Sequence, residues 1–180
     1  MRQIPIHKLS AQSLPVPGAD PWHAQPGDPA LAVMTDFRDR PSVTVDGASG
    51  IDAALEHMKH AGVRSALVTD TTTHRVIGLV TAYDILGEKP MSHMRLVGAK
   101  RNEVLVRDLM VPAQEWQIAR FEDIQRATVG DVAELFEHGS LTHLPVIENG
   151  ADGLPRVRGL LSAAKVKRVL SRDAERRSAG

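Results

Sequence analysis

The chain repeats itself, and that constrains its fold more than any other feature. Ile51, Ala54, Leu55 and Met58 recur as Val129, Val132, Ala133 and Phe136, 78 residues later. Ala66-Leu67-Val68-Thr69 recurs at the same offset as Leu144-Pro145-Val146-Ile147. After a turn three residues longer, Gly78-Leu79-Val80-Thr81 recurs as Gly159-Leu160-Leu161-Ser162, at an offset of 81. The lead-ins also agree loosely, Val33-Met34-Thr35 against Leu109-Met110-Val111. Apolar residues at helical spacing, then two short apolar runs parted by a polar turn, read as the same supersecondary unit used twice.

In the first unit Val43-Thr44-Val45 reads as a short strand. Ser49-Gly50-Ile51-Asp52 has capping-box character, with Asp for the usual Glu, and Gly62 ends the helix that follows. Ala66-Leu67-Val68 is a second strand, Asp70 to His74 a turn, Val76 to Val80 a third strand, and Tyr83 to Leu86 begins a second helix. The order is β-α-β-β-α. Thr128-Val129-Gly130-Asp131 opens the equivalent helix of the second unit, Phe121 to Ala127 adds a helical turn without counterpart, and the last helix runs from Ala163 to about Arg172.

Five segments follow. Residues 1–30 hold six of the eleven prolines and read as an extended Pro-rich arm, with Ile4-Pro5-Ile6 and Trp22 as docking points or as part of a loose tail. Residues 31–87 are the first repeat, 88–104 a polar linker, 105–171 the second repeat and 172–180 a charged tail.

Composition narrows the function. With 42% hydrophobic residues the chain can bury a core, and at 3% aromatics that core must be mostly aliphatic. A formal net charge of zero gives no general attraction to nucleic acid or anionic lipid. The absence of cysteine excludes disulfides, thiolate catalysis and Cys-ligated zinc. No apolar run is long enough to span a bilayer, and the N-terminus lacks a signal-peptide core, so a cytoplasmic location is expected. Sequence motifs of Ser hydrolases, His-Glu zinc enzymes and phosphate-loop enzymes are missing, and the repeats leave little room for a catalytic domain.

The junction at Thr81 carries the strongest functional signal. A buried strand ends on a hydroxyl at the N-cap of a short helix, and Asp84 sits in the first turn. Such a corner suits a phosphate on its N–H groups and a ribose diol on its carboxylate. The competing reading is a capping box between Thr81 and Asp84 with no ligand. In the second unit Ser162 keeps the hydroxyl but Lys165 replaces the acid, so the fold's need for a cap is met by the hydroxyl alone.

Two β-α-β-β-α units, each closing on glycine, two apolar residues and a hydroxyl, resemble a tandem pair of CBS (cystathionine-β-synthase type) domains over residues 31 to 171. The resemblance implies an α/β fold in which the two repeats pack as a pseudo-twofold pair and leave two clefts. It further implies a non-catalytic, ligand-sensing module that forms a flat homodimer, regulates a protein partner and binds an adenosine-containing molecule such as AMP, ADP, ATP or S-adenosylmethionine as regulatory ligand, with no other cofactor. By that analogy Asp84 grips the ribose, Thr81 the phosphate, Arg64 and Ser65 the phosphates beside them, and Val43, Thr44 and Ala66 line an adenine slot. Ser162, Lys165, His143 and Thr142 line the second cleft, where Lys165 can donate but not accept and so cannot grip a diol; it contacts a phosphate or that cleft is empty, and one good site per chain is expected. An interaction module with no nucleotide is the alternative.

The remaining candidates have simpler explanations. His57 and His60 are three apart on a helix, close enough to share an ion, but lie off its apolar stripe with no acid to complete a set; His93 falls in the linker. Solvated side chains explain them, and no metal site is expected. The basic run Lys165, Lys167, Arg168, Arg172, Arg176 and Arg177 is broken by Asp173 and Glu175 and reads as a solvated helix end favoured by the helix dipole.

Overall fold

A computed structural model describes residues 24–178, with side chains through residue 170. Ile4-Pro5-Ile6, Trp22 and the charged tail's side chains therefore lie outside the described residues. Among the described residues eight strands and seven α-helices follow in order: β1 Thr35–Asp36, β2 Thr44–Asp46, α1 Ile51–His60, β3 Ser65–Thr69, β4 Val76–Thr81, α2 Ala82–Leu86, α3 Lys89–Val97, α4 Val106–Leu109, β5 Val111–Pro112, β6 Ala119–Arg120, α5 Phe121–Ile124, α6 Val129–His138, β7 His143–Asn149, β8 Pro155–Ser162 and α7 Ala163–Ser178. The α/β fold of two like units is as the repeat predicted. The extra turn before α6 is α5.

Each unit builds one four-stranded mixed sheet, ordered β2-β3-β4-β5 in the first and β6-β7-β8-β1 in the second. The first three strands of each come from one unit: a parallel pair, β2 with β3 or β6 with β7, then an antiparallel hairpin. The fourth strand is exchanged. β1, the lead-in to the first unit, pairs antiparallel with β8 of the second, and β5, the lead-in to the second, pairs with β4 of the first. Each sheet is thus closed by chain that precedes the other unit.

Close approach of these lead-ins explains the glycine in each Gly-apolar-apolar-hydroxyl signature. A Cβ on Gly78 would stand 2.5 Å from Met110 Sδ and 2.8 Å from the Val111 carbonyl oxygen, and one on Gly159 would stand 2.6 Å from the Thr35 carbonyl oxygen and 3.1 Å from Met34 Sδ. Only a residue without Cβ lets the fourth strand lie this close.

Strand alternation sorts the core into three layers. Ala66, Val68 and Val80 face Ile51, Ala54, Leu55 and Met58 of α1, and Leu144, Val146 and Leu161 face Val129 and Val132 of α6. The opposite faces of the sheets meet through Leu67, Leu79 and Leu160, with Phe37, Val76, Trp116 and Val157 around them. The predicted helical stripes are the buried faces of α1 and α6. Gly62, at φ 66°, takes the left-handed position just past α1.

Three local expectations are corrected. No capping box opens α1: the N-cap is Gly50, which puts Asp52 one position too early to reach back, and Asp52 pairs with Arg101 at 2.7 Å. The segment read as linker contains α3, started by Pro90 in its first turn and stopped by Gly98 in the left-handed conformation. Within the stretch read as an arm, residues 24–30 are built into the second unit. Ala24 and Ala30 are buried in its core, the Ala30 N–H donates to the Ala127 carbonyl at 2.9 Å, and the Val129 N–H donates to the Asp28 carbonyl at 2.8 Å.

Candidate functional site

The β4–α2 corner is built as a closed hydrogen-bond ring. Thr81 leaves β4 with extended backbone and caps α2; its Oγ1 accepts from the Asp84 N–H at 3.1 Å. Asp84 Oδ2 accepts from the Thr81 N–H at 2.8 Å and from its hydroxyl at 2.7 Å. Oδ1 pairs with Lys89 Nζ at 2.6 Å, so both oxygens of a carboxylate only 7% exposed have partners. Lys89 Nζ also donates to the Leu109 carbonyl at 3.3 Å, reaching the exchanged lead-in. The Ala82 N–H is taken by the Arg64 carbonyl at 2.8 Å. The N–H groups of Thr81, Ala82 and Asp84, expected to be open at this corner, are therefore engaged by the chain itself.

Arg64 reaches this corner through its carbonyl while its side chain is exposed. Ser65 stands opposite Thr81 in the β3–β4 register. Ala66 is buried against α1 as a core residue, and half-buried Val43 gives its carbonyl to the Leu67 N–H at 3.0 Å. Thr44 is exposed and lines a surface hollow of about 290 Å³ with Asp46, Ser49 and His57, which none of Thr81, Asp84 or His143 lines.

The second corner repeats the backbone scheme with different charges. The Ser162 hydroxyl accepts from the Lys165 N–H at 3.3 Å, and the Thr142 carbonyl accepts from the Ala163 N–H at 3.0 Å, as Arg64 does for Ala82. Lys165 Nζ donates to the Met34 carbonyl at 3.3 Å, again on the exchanged lead-in. Burial first, then the Arg40 and Arg168 charges, hold its ammonium pKa below the usual lysine value.

His143, grouped by sequence with the second cleft, is shared. It pairs in register with Ser162, and its Nδ1 shares a hydrogen bond with Thr142 Oγ1 at 3.1 Å. It also feels Asp84 across the boundary between the units. Burial pushes its imidazole pKa below the ordinary 6.5, and the Asp84 carboxylate opposes that shift. Thr81, Asp84 and Lys89 thus form one polar corner of the first unit, and the Asp84 charge acts on the His143 imidazole of the second. Lys89 was missed because its segment read as linker; helical spacing of Pro90 and Met94 ahead of Gly98 was the available signal.

Elsewhere, among the described residues, no three potential metal ligands converge and no helix is long and apolar enough to cross a membrane. His60 Nδ1 lies 2.8 Å from the Glu56 carbonyl, and His93 Nε2 lies 3.8 Å from Asp108.

Comparison with solved structures places this architecture. CBSX2 from Arabidopsis thaliana, a CBS-pair protein, is 25% identical, with a TM-score of 0.51 over 83% of this chain and 98% of that one. A second CBSX2 structure, in complex with AMP, is also 25% identical, with a TM-score of 0.54 over 83% and 99%. An uncharacterised protein from Pyrococcus horikoshii shares the fold at 18% identity, with a TM-score of 0.54 over 85% and 96%. A search of curated protein sequences finds no significant match. The CBS domain family matches residues 32–90 and 125–172, one stretch in each unit. The chain belongs to the CBS-domain family, as a tandem CBS pair.

Proposed function

We propose that this CBS pair is a regulatory module without chemistry of its own, which binds an adenosine-containing ligand at the polar corner between its repeats. The observation that carries the reading is the AMP complex of CBSX2, aligned over 83% of this chain. In this reading Asp84 accepts from the ribose hydroxyls, Thr81, Ser65 and Arg64 meet phosphate, and Val43, Thr44 and Ala66 flank the base. Asp84 Oδ1 must then exchange Lys89 for hydroxyl donors. Lys89 is half exposed, so it can turn toward water or toward the ligand's phosphate at small cost. A dimer of such modules would pass the signal to a protein partner only if the ligand binds one arrangement better than another.

One observation favours an interaction module instead: both oxygens of Asp84 already have partners within the chain. A thermal-shift panel of AMP, ADP, ATP and S-adenosylmethionine separates the two. At a hundred times its dissociation constant a ligand adds about 2.7 kcal/mol to native stability. Because Asp84 also supports α2, the informative variant is Asp84→Asn, and the readout is the ligand-induced shift, not the melting point itself. A shift with one ligand that disappears in Asp84→Asn supports the nucleotide reading. Wild-type protein that melts unchanged across the panel supports the interaction module.

A further inference from the structure

The two oxygens of Asp84 have separate partners. Oδ2 closes the cap of α2, accepting from the Thr81 N–H at 2.8 Å and from the Thr81 hydroxyl at 2.7 Å. Oδ1 accepts from Lys89 Nζ at 2.6 Å. A carboxylate oxygen offers about two lone-pair sites, so Oδ2 is full and Oδ1 keeps a single vacancy. A ribose diol has two hydroxyls to donate. With the cap intact, Asp84 accepts both only when Lys89 leaves. Lys89 is also the first residue of α3, and the same ammonium donates to the Leu109 carbonyl at 3.3 Å, at the end of α4 and next to the lead-in to β5. Among the described residues, none caps that end of α3 with a side chain. Behind Lys89 the helix rests on the first unit through buried Pro90, half-buried Met94 and a 3.8 Å approach of His93 Nε2 to Asp108, and it leaves Met91, Leu96 and Val97 exposed. Lys89 is therefore the polar fastening of the N-terminal end of α3.

We propose that Lys89 is an intramolecular latch: in the free protein its ammonium occupies the acceptor that a vicinal diol needs, and a diol seated on Asp84 releases Lys89 and loosens α3. The latch rests on the adenosine reading of Asp84 and gives that site an output. Asp84 cannot hold Lys89 and both hydroxyls at once, so the ligand binds the released arrangement better than the fastened one, which is the differential affinity a sensor requires. The pair is breakable because the Lys89 side chain is half exposed and water takes over its ammonium. Release also frees the Leu109 carbonyl, so the change reaches the segment that closes the first sheet through β5. The second corner is built differently: Lys165 stands in place of the acid and itself reaches the other lead-in at the Met34 carbonyl.

Amide hydrogen exchange of the full chain with and without AMP tests the latch. The Ser92 N–H, which donates to the Glu88 carbonyl at 3.0 Å, and the Gly98 N–H, which donates to the Met94 carbonyl at 2.9 Å, should exchange severalfold faster when AMP is bound, while the Leu67 N–H, bonded to the Val43 carbonyl, should not. Lys89→Met, which leaves the cap of α2 intact, should show the faster α3 exchange without ligand, and AMP should add nothing further. Calorimetric titration supplies a second readout. Adenosine should bind severalfold tighter to Lys89→Met than to wild type, whereas 2′-deoxyadenosine, which lacks one hydroxyl of the diol, should bind both alike. AMP binding that depends on Asp84 but leaves α3 exchange unchanged overturns the latch and spares the adenosine reading. An equal gain for both nucleosides in Lys89→Met overturns the latch too. If neither AMP nor adenosine binds wild type or Lys89→Met, the adenosine reading and the latch fall together. Wild-type exchange with AMP decides the matter even if the variant folds poorly.

Discussion

The two repeats hold their exchanged strands by opposite means. In the second sheet Asp36 of β1 receives Arg158 of β8 at 2.8 and 2.5 Å, and Arg158 also reaches Glu148 of β7 at 3.0 Å and stacks 4.2 Å over the Phe121 ring. Arg38 adds a second bond to Glu148 at 3.0 Å. The equivalent positions in the first sheet are Ile77 on β4 and Pro112 on β5, and half-buried Ile77 packs against the apolar core. One fourth strand is fastened by a charge network whose Arg158, Asp36 and Glu148 are only 11–19% exposed, the other by apolar contact. The same topology therefore tolerates either chemistry, and the shared requirement is the glycine beneath the strand. The corners diverge likewise: Asp84 pairs with Lys89, whereas Lys165 stands in place of the acid and donates to the Met34 carbonyl.

The largest effect should come from what the repeats share. Gly78→Val and Gly159→Val each place a side chain against backbone oxygen and should cost about 3 kcal/mol. Urea unfolding of both variants checks this, and tolerance of one alone would break the equivalence.

The fasteners come next. Arg158→Ile leaves Asp36 and Glu148 without their main cation and should cost about 2 kcal/mol, less than a fully buried pair because water reaches these groups. Removing Asp36 as well, in Arg158→Ile with Asp36→Leu, should cost less than Arg158→Ile alone, since no carboxylate is then stranded on β1. A double variant as weak as the sum of its parts would refute the network.

The corners should respond in opposite directions. Asp84→Asn weakens the cap of α2 and should lower stability by about 1 kcal/mol, whereas Lys165→Met removes a crowded charge and should leave the melting point unchanged or raise it by a few degrees. Differential scanning calorimetry of the pair decides this.

Acid separates the repeats most gently. The hydrogen bond from Arg158 holds the Asp36 carboxyl below its ordinary 3.8, with the neighbouring Arg38 N–H adding to the effect. Its stabilising contribution is therefore present above the unfolded value and is lost as pH falls through the lower folded one. The Phe37 amide, which donates to the Arg158 carbonyl at 2.9 Å, should lose exchange protection below about pH 4 before the Leu79 amide of the first sheet does. Protection lost together at both places would mean that β1 does not open as a unit.

The repeat was legible because core periodicity is local: α1 and α6 show their buried stripes within ten residues each, and Thr81 with Asp84 shows its cap within four. The glycine in each signature was visible as a repeated residue, but its reason was not, because the chain that presses on it lies far away in sequence. Two-residue strands such as β1 and β5 carry no period to read, and their partners are fixed by contacts with β8 and β4. Lys89 was hidden for a related reason, since a segment that reads as polar connection shows its helix chiefly through Pro90 and Gly98.

The sequence alone therefore determined that two β-α-β-β-α units share one pattern, and that the second lacks the acid of the first, because hydrophobic spacing and residue identity are properties of the chain. Tertiary structure alone decided that the units exchange their fourth strands, that Asp84 pairs with Lys89, and that Lys165 reaches the Met34 carbonyl. Those depend on which distant segments approach in space, and the charges acting on a side chain are set by that approach.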